Sequence, residues 1–193
     1  MGMKAKDKIK FILLFYVLSA FVFFFFGNEL VRLDEQLFLQ INQIRNPFLD
    51  SFFLTITTVG STLFWLSLIG IFWLAKQKKI SFLLLAAFLI DSMTLIGSKL
   101  LFNRLRPQDF FSGVETLEYE IGPSFPSGHS ERVFSGATIL SAFYKNLKPV
   151  FYGLALLVAI SRIYVGVHFP LDVIYGSLNG IVIGYLVRNL KKF

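Results

Sequence analysis

The sequence predicts an all-α integral membrane protein, with residues 1–193 forming a single domain of six transmembrane helices plus an amphipathic helix at the bilayer surface. Hydrophobic residues make up 55% of the chain and charged residues only 16%, whereas soluble proteins have about 25% charged residues. The apolar residues form long runs flanked by lysine and arginine, as in membrane helices. Cysteine is absent, which excludes disulfides, thiolate metal sites and cysteine nucleophiles.

Six apolar segments are predicted to cross the membrane. The first follows four lysines and has 17 uncharged residues, close to the lower limit for a membrane helix. It lacks the small-residue cleavage pattern of a signal peptide, so we expect it to stay as the first helix. Pro149 and Pro170 open the last two helices, a position that proline favours. The predicted spans are roughly 11–27, 54–75, 80–101, 128–144, 149–167 and 171–187.

The segment 28–51, between the first two spans, has a different pattern. Its apolar residues recur at helical spacing, while acidic and amide side chains fill the opposite face. This pattern predicts an amphipathic helix at the bilayer interface. Segments 28–51 and 103–125 are long enough to form a lid over a site, but their lengths also fit passive connectors. The apolar stripe consists of Leu30, Leu33, Leu37, Ile41 and Ile44.

The basic residues predict the orientation of the chain in the cytoplasmic membrane. Six spans place the two termini and the loops 76–79 and 145–148 on one side, with 12 of the 19 lysines and arginines. That side is predicted to be cytoplasmic. The net charge of +7 is therefore an orientation signal and requires no nucleic-acid partner. Three other polar groups, described next, are all predicted to lie on the extracytoplasmic side, where they form the candidate active site.

The stretch 122–130, with the sequence GPSFPSGHS, is the central polar group. Its prolines, glycines and serines are typical of a fixed loop whose backbone N–H groups can converge on an anion. Ser127 and Gly128 are candidates for such contacts. His129 follows them and is a side chain that can transfer a proton at neutral pH.

Three cations accompany this loop. Lys99 and Arg106 are seven residues apart, so we expect them on one helix face, two turns apart, with Pro107 ending the helix. Arg162, near the end of the fifth span, is the third. Lys99 lies inside an apolar run, where a charge indicates function, whereas Arg104 is interpreted as a boundary charge that extends to water. Three converging cations suit a phosphate group.

The second histidine, His168, lies four residues before Asp172. One helical turn would place the carboxylate against one ring nitrogen and leave the other free as a nucleophile, as in the Asp–His pair of a catalytic triad. His129 would then protonate the leaving oxygen and later activate water.

These three groups resemble the three-part signature of the type-2 phosphatidic acid phosphatase superfamily. The matching residues are Lys99-x6-Arg106-Pro107, Pro126-Ser127-Gly128-His129 and Ser161-Arg162-x5-His168-x3-Asp172. The resemblance implies that His168 forms a phosphohistidine, that Asp172 orients it and that His129 is the acid. It further implies that the phosphoryl oxygens are held by Lys99, Arg106, Arg162, Ser127 and the Gly128 amide. The mechanism of this superfamily needs no metal or other cofactor.

Two features depart from the pattern of that superfamily. Glu131 and Arg132 follow the His129 motif, where small or apolar residues are usual. Arg132 would contact a charged headgroup with Glu131 holding it, or the two would form a local ion pair at the helix start. Asp91, eight residues before Lys99, is interpreted as an interior structural partner.

The sequence therefore predicts a metal-independent phosphatase that removes a terminal phosphate from a membrane lipid. The superfamily implies four substrate classes: polyprenyl diphosphates, phosphatidylglycerophosphate, phosphatidic acid and lipid A. A phosphotransferase using the same phosphohistidine and a non-catalytic phospholipid-binding or carrier protein remain alternatives. The superfamily also includes vanadium-dependent haloperoxidases. That activity is disfavoured because those enzymes are soluble and this chain has six predicted spans. No obligate protein partner is evident.

Overall fold

The computed structural model describes residues 27–190. The first predicted span, 11–27, therefore lies outside the described residues except for Gly27. All regular secondary structure in the described part of the chain is helical, with no β-strand, and residues 111–127 form a non-helical segment. Its α-helices are α1 (27–42), α2 (Pro47–Thr57), α3 (Thr62–Leu74), α4 (Lys78–Phe102), α5 (Pro107–Phe110), α6 (Gly128–Phe143), α7 (Lys148–Tyr164) and α8 (Pro170–Arg188).

Helix α6 is the centre of the bundle. It packs against α4, α7 and α8, and most of its residues are buried, including the polar Ser130, Ser135, Thr138 and Ser141. Because neighbouring helices surround it, α6 does not need the apolar surface of a lipid-facing helix.

Helices α6 and α8 run parallel and touch along their backbones. Gly176, Gly180 and Gly184 on α8 face α6, and a Cβ atom added at Gly180 would lie 2.1 Å from the carbonyl oxygen of Glu131. Such close approach requires glycine, as in membrane helix pairs with small residues at every fourth position. The contact aligns the starts of both helices, where the Ser127 N–H donates to the Asp172 carbonyl oxygen at 2.9 Å.

The described helices support membrane insertion without establishing six spans. Three helical segments are long and apolar enough to cross a bilayer, and the bent pair α2–α3 would make a fourth. Helix α6 forms close to the predicted 128–144, but it has only 16 residues. The six-span topology therefore stays a prediction.

The predicted continuous span 54–75 is broken in the structure. Helices α2 and α3 meet at an angle of 54°, separated by a short 3-10 turn, Thr58–Gly60. The new helix begins at Ser61, whose side chain accepts from the Phe64 N–H at 3.2 Å, an N-cap contact. Uncharged composition indicated a span but could not reveal this cap.

The predicted helix 28–51 is also divided. Helix α1 ends at residue 42, and Asn46 caps α2 by accepting from the Leu49 N–H at 2.9 Å, with Pro47 as the first helical residue. Leu33 and Leu37 of the predicted apolar stripe face outward, with 54% and 48% exposure, whereas Ile41 packs against the core. The protein-facing side contains the buried Asp34 and Phe38, so α1 contacts the bundle through both a polar and an apolar side chain.

The expectation that Lys99 and Arg106 share one helix face is wrong. Helix α4 ends at Phe102, where Asn103 adopts a left-handed conformation with φ +41°. Asparagine tolerates this conformation better than most residues and is a common helix terminator. Arg106 lies beyond it in extended backbone, which frees its side chain to turn toward α7 and α8.

We predict that Gly180→Ala destabilises the protein, because its methyl group would push α8 away from α6. Overpacking of this kind costs about 1–3 kcal/mol, so the midpoint of thermal unfolding in detergent should fall by several degrees. Gly153→Ala on α7 is the matched control, since its methyl group meets no atom within 4 Å and alanine favours the helix. Equal midpoints for the two variants would contradict this account of the helix contact.

Candidate active site

His168 and Asp172 form a buried pair at the start of α8. The Nδ1 atom of His168 lies 3.4 Å from Asp172 Oδ2, and Arg106 Nη1 lies 3.4 Å from Nε2. Arginine has only donors, so Nε2 is the acceptor nitrogen and the ring proton belongs on Nδ1, facing the carboxylate. The arrangement orients Nε2 toward the arginines.

Asp172 is held by more than its histidine. Its Oδ2 atom accepts from the Phe169 N–H at 2.9 Å and from the Ser124 hydroxyl, and its Oδ1 pairs with Arg104 at 2.8 Å. The second arm of Arg104 pairs with Asp34 at 2.6 Å. The interpretation of Arg104 as a simple boundary charge is therefore wrong: it connects helix α1 to the candidate catalytic carboxylate.

Arg106 and Arg162 form the cationic part of the site. Arg106 donates to the carbonyl oxygens of Gly122 and Val167, both at 2.9 Å. Arg162 is completely buried and donates to the Thr57 hydroxyl at the α2–α3 break. These contacts fix both guanidinium groups in place.

Two carboxylates from the segment before α6 occupy the space between these arginines. Glu120 pairs with Arg162 through Oε1 at 2.5 Å and with Arg106 through Oε2 at 2.8 Å. Glu118 pairs with Arg162 at 2.7 Å. The Glu120 Oε2 atom is 3.8 Å from His168 Nε2, so this carboxylate lies directly in front of the candidate nucleophile.

The pKa values of the two groups that face each other here are both lowered, for different reasons. Burial lowers the pKa of His168 from 6.5 to about 4, despite the opposing effect of Asp172. Burial would raise the pKa of Glu120, but Arg162, His168 and Arg106 lower it to about 2. At neutral pH the imidazole is therefore uncharged and the carboxylate is ionised.

His129 lies at the first turn of α6, against the α2–α3 break. A Cβ atom added at Gly60 would be 2.6 Å from His129 Cδ2 and 2.8 Å from its Cβ. The absence of a side chain at Gly60 therefore makes room for the imidazole. Arg132 donates to the Gly60 carbonyl oxygen at 3.3 Å, which joins the same break to the next turn of α6.

Of the three other predicted phosphate contacts, Lys99 and Ser127 have other partners in this structure, whereas Gly128 is at a helix start. Lys99 donates to the carbonyl oxygen of Pro123, so it supports the loop beside the arginines. The Ser127 hydroxyl caps α6 and accepts from the Ser130 hydroxyl at 3.1 Å. Gly128 begins α6, and the first N–H groups of a helix have no partner within it.

Glu131 and Asp91 lie in the interior beneath the site. Glu131 accepts from the Thr94 hydroxyl at 2.5 Å and from the Asn179 amide at 3.1 Å, and its pair with Arg132 is not among the ion pairs of residues 27–190. Asp91 accepts from Ser135 at 2.7 Å, as expected of an interior partner.

Several site residues were not identified from the sequence. Glu118 and Glu120 were visible only as acidic residues of a polar segment, although their spacing of two places both side chains on one face of extended chain. Ser124 lies inside the GPSFPSGHS stretch but matches none of the three motifs. Asp34 and Thr57 gave no signal, because their partners are more than 65 residues away.

Comparisons with known proteins show the family of this chain. A profile of the PAP2 superfamily matches residues 78–193. An undecaprenyl-diphosphatase of Sulfolobus acidocaldarius is 33% identical over 184 residues, covering 94% of this chain and 89% of the relative. A lipid A 4'-phosphatase of Porphyromonas gingivalis is 30% identical over 178 residues, covering 85% and 75%. The crystal structure of a transmembrane PAP2-type phosphatidylglycerolphosphate phosphatase from Bacillus subtilis matches with a TM-score of 0.80 at 28% identity, covering 96% of this chain and 98% of that one. The chain is therefore a member of the PAP2, or type-2 phosphatidic acid phosphatase, superfamily.

Proposed function

We propose that this membrane phosphatase hydrolyses a terminal phosphate of a membrane lipid through a phosphohistidine at His168. The observation that supports the proposal best is the placement of His168 Nε2, which faces Arg106 and the carboxylate of Glu120 within 4 Å, with Asp172 on the opposite nitrogen. A phosphoryl group at the position of that carboxylate would meet the nucleophile and two arginines together.

The first step transfers the phosphoryl group to the enzyme. The lone pair of His168 Nε2 attacks phosphorus while the bond to the leaving oxygen breaks, and His129 gives its proton to that oxygen. Asp172 stabilises the positive charge that develops on the His168 ring. Arg106, Arg162 and the free N–H groups at the start of α6 stabilise the negative charge on the phosphoryl oxygens.

The second step regenerates the enzyme. His129, now neutral, takes a proton from water, and the resulting hydroxide attacks phosphorus as the P–N bond to His168 breaks. Inorganic phosphate leaves. We propose Lys99 and Ser127 as further phosphate contacts after the loop rearranges, Arg132 as a contact for the rest of the headgroup, and Glu131 as a support for that turn of α6. None of these steps requires a metal or another cofactor.

We expect the purified protein to release phosphate in detergent, with EDTA present, from at least one of four lipid classes. The panel contains polyprenyl diphosphate, phosphatidylglycerophosphate, phosphatidic acid and lipid A, and the named activities of the relatives fall within it. His168→Ala removes the nucleophile, so the rate should fall at least about 1,000-fold.

Product identity separates hydrolysis from its alternatives. Labelled phosphate recovered on another lipid would indicate a phosphotransferase, whereas a folded protein that binds lipid but releases nothing would indicate a carrier. Either result would contradict hydrolysis.

We predict that Gly60→Ala lowers kcat, because its methyl group would displace the imidazole of His129. Loss of a general acid costs about 100- to 10,000-fold, and Gly60→Ala should approach the effect of His129→Ala. With p-nitrophenyl phosphate, whose leaving oxygen needs little protonation, both losses should be smaller. Gly70→Ala is the control, since its methyl group meets no atom within 4 Å. A folded Gly60→Ala protein with unchanged kcat would refute this role of the α2–α3 break.

We propose that the site opens on the extracytoplasmic side of the cytoplasmic membrane and that both termini are cytoplasmic. Support comes from the basic loops 76–79 and 145–148 at the opposite ends of the helices from His168. Because the chain has no cysteine, single cysteines report sidedness cleanly. In intact cells, a membrane-impermeant maleimide should label Ser112→Cys and leave Asn146→Cys unlabelled until the membrane is broken. The reverse pattern would overturn the orientation.

A further inference from the structure

Glu120 has the contacts that a substrate phosphoryl group would have. Its two oxygens are divided between Arg162 and Arg106, and one of them is 3.8 Å from the His168 nitrogen. A carboxylate in this place and a bound phosphate cannot be present together. Substrate binding therefore requires that Glu120 leaves.

The arginines are fixed and the carboxylates are the removable partners. The side chains of Arg106 and Arg162 are 3% and 0% exposed, whereas those of Glu120 and Glu118 are 27% and 32% exposed. Arg106 also donates to two backbone carbonyls, which remain when Glu120 moves. The glutamates come from a segment outside the long helices, so they can withdraw without disturbing the helix packing.

Protonation does not remove Glu120 at physiological pH. Its pKa of about 2 keeps it ionised. Its departure would leave the buried Arg106 without a carboxylate partner, which would be costly, whereas Arg162 would keep Glu118. Another anion must therefore take its place. A terminal phosphate has a charge of about −1.5 to −2 at pH 7 and three free oxygens, whereas a phosphodiester headgroup has a single charge and two free oxygens.

We propose that Glu120 acts as an internal competitor for the phosphate site and keeps phosphodiester lipids out of it. This inference rests on the proposed function of the site. An internal competitor raises the apparent dissociation constant of every anion by the same factor. That factor is the inverse of the fraction of sites from which the competitor is absent. Terminal phosphates bind in spite of the higher apparent dissociation constant. Phosphodiesters are abundant in the bilayer but bind more weakly, and their apparent dissociation constant would then exceed their concentration.

The test compares wild-type protein with Glu120→Gln, which keeps the shape of the side chain and removes its charge. Inorganic phosphate binding is measured by isothermal titration in detergent. We expect the dissociation constant to fall about tenfold, as it would if about a tenth of wild-type sites were open. Glu115→Gln is the matched control on the same segment, because that side chain is exposed, and its affinity should equal the wild-type value.

A second measurement tests selectivity. Phosphatidylglycerol, a phosphodiester lipid, is added to mixed micelles during turnover, and it should inhibit Glu120→Gln at concentrations that leave the wild-type rate unchanged. Glu118→Gln should shift both readouts in the same direction by a smaller factor, since Glu118 contacts only Arg162 of the two arginines. This second variant keeps the inference testable if Glu120→Gln does not fold.

The outcomes separate this inference from the proposed hydrolysis. Unchanged or weaker phosphate binding by folded Glu120→Gln would overturn the role of Glu120, as would equal inhibition of both proteins by phosphatidylglycerol. Because titration needs no turnover, tighter phosphate binding by Glu120→Gln supports the competitor even if no lipid of the panel is hydrolysed. Absence of hydrolysis would then contradict only the proposed hydrolysis and would leave the role of Glu120 supported.

Discussion

The contact between α6 and α8 is the constraint on which the rest of the site depends. Glycines at three successive turns of α8 bring its backbone against that of α6, and the parallel direction places both helix starts at the same end. His129 follows the start of one helix, while His168 and Asp172 flank the start of the other. Backbone packing thus brings together His129, the proposed proton donor, and His168, the proposed nucleophile, which are 39 residues apart in the chain.

Charge balance is the second organising factor. In the described part of the chain, three arginines of the site have acidic partners: the partly exposed Arg104 pairs with Asp34 and Asp172, and the buried Arg106 and Arg162 share Glu120. The carboxylates of these ion pairs differ in their exposure to solvent. Asp34 and Asp172 have no exposed side-chain surface, whereas Glu120 is partly exposed. The first set is enclosed by protein, and the second is the one that we propose a ligand replaces.

The motif residues were accessible from sequence because their chemistry is rare in an apolar chain. Two histidines and a lysine inside hydrophobic runs stand out, and the superfamily match confirms the resemblance. The α2–α3 break was not accessible, since Gly60 and Ser61 read as two more small residues in an uncharged run. Arg104 was misjudged for a related reason. Its partner Asp34 is 70 residues away in the chain, and no local pattern indicates such a partner.

Helix α1 contacts the candidate active site through its inner face. Leu33 and Leu37 face outward, whereas Asp34 pairs with Arg104, and Arg104 in turn pairs with Asp172. Asp34 also accepts from the Leu171 N–H at 2.7 Å. A displacement of α1 would therefore pass through one guanidinium group and one backbone amide to the start of α8, where the pair of His168 and Asp172 lies.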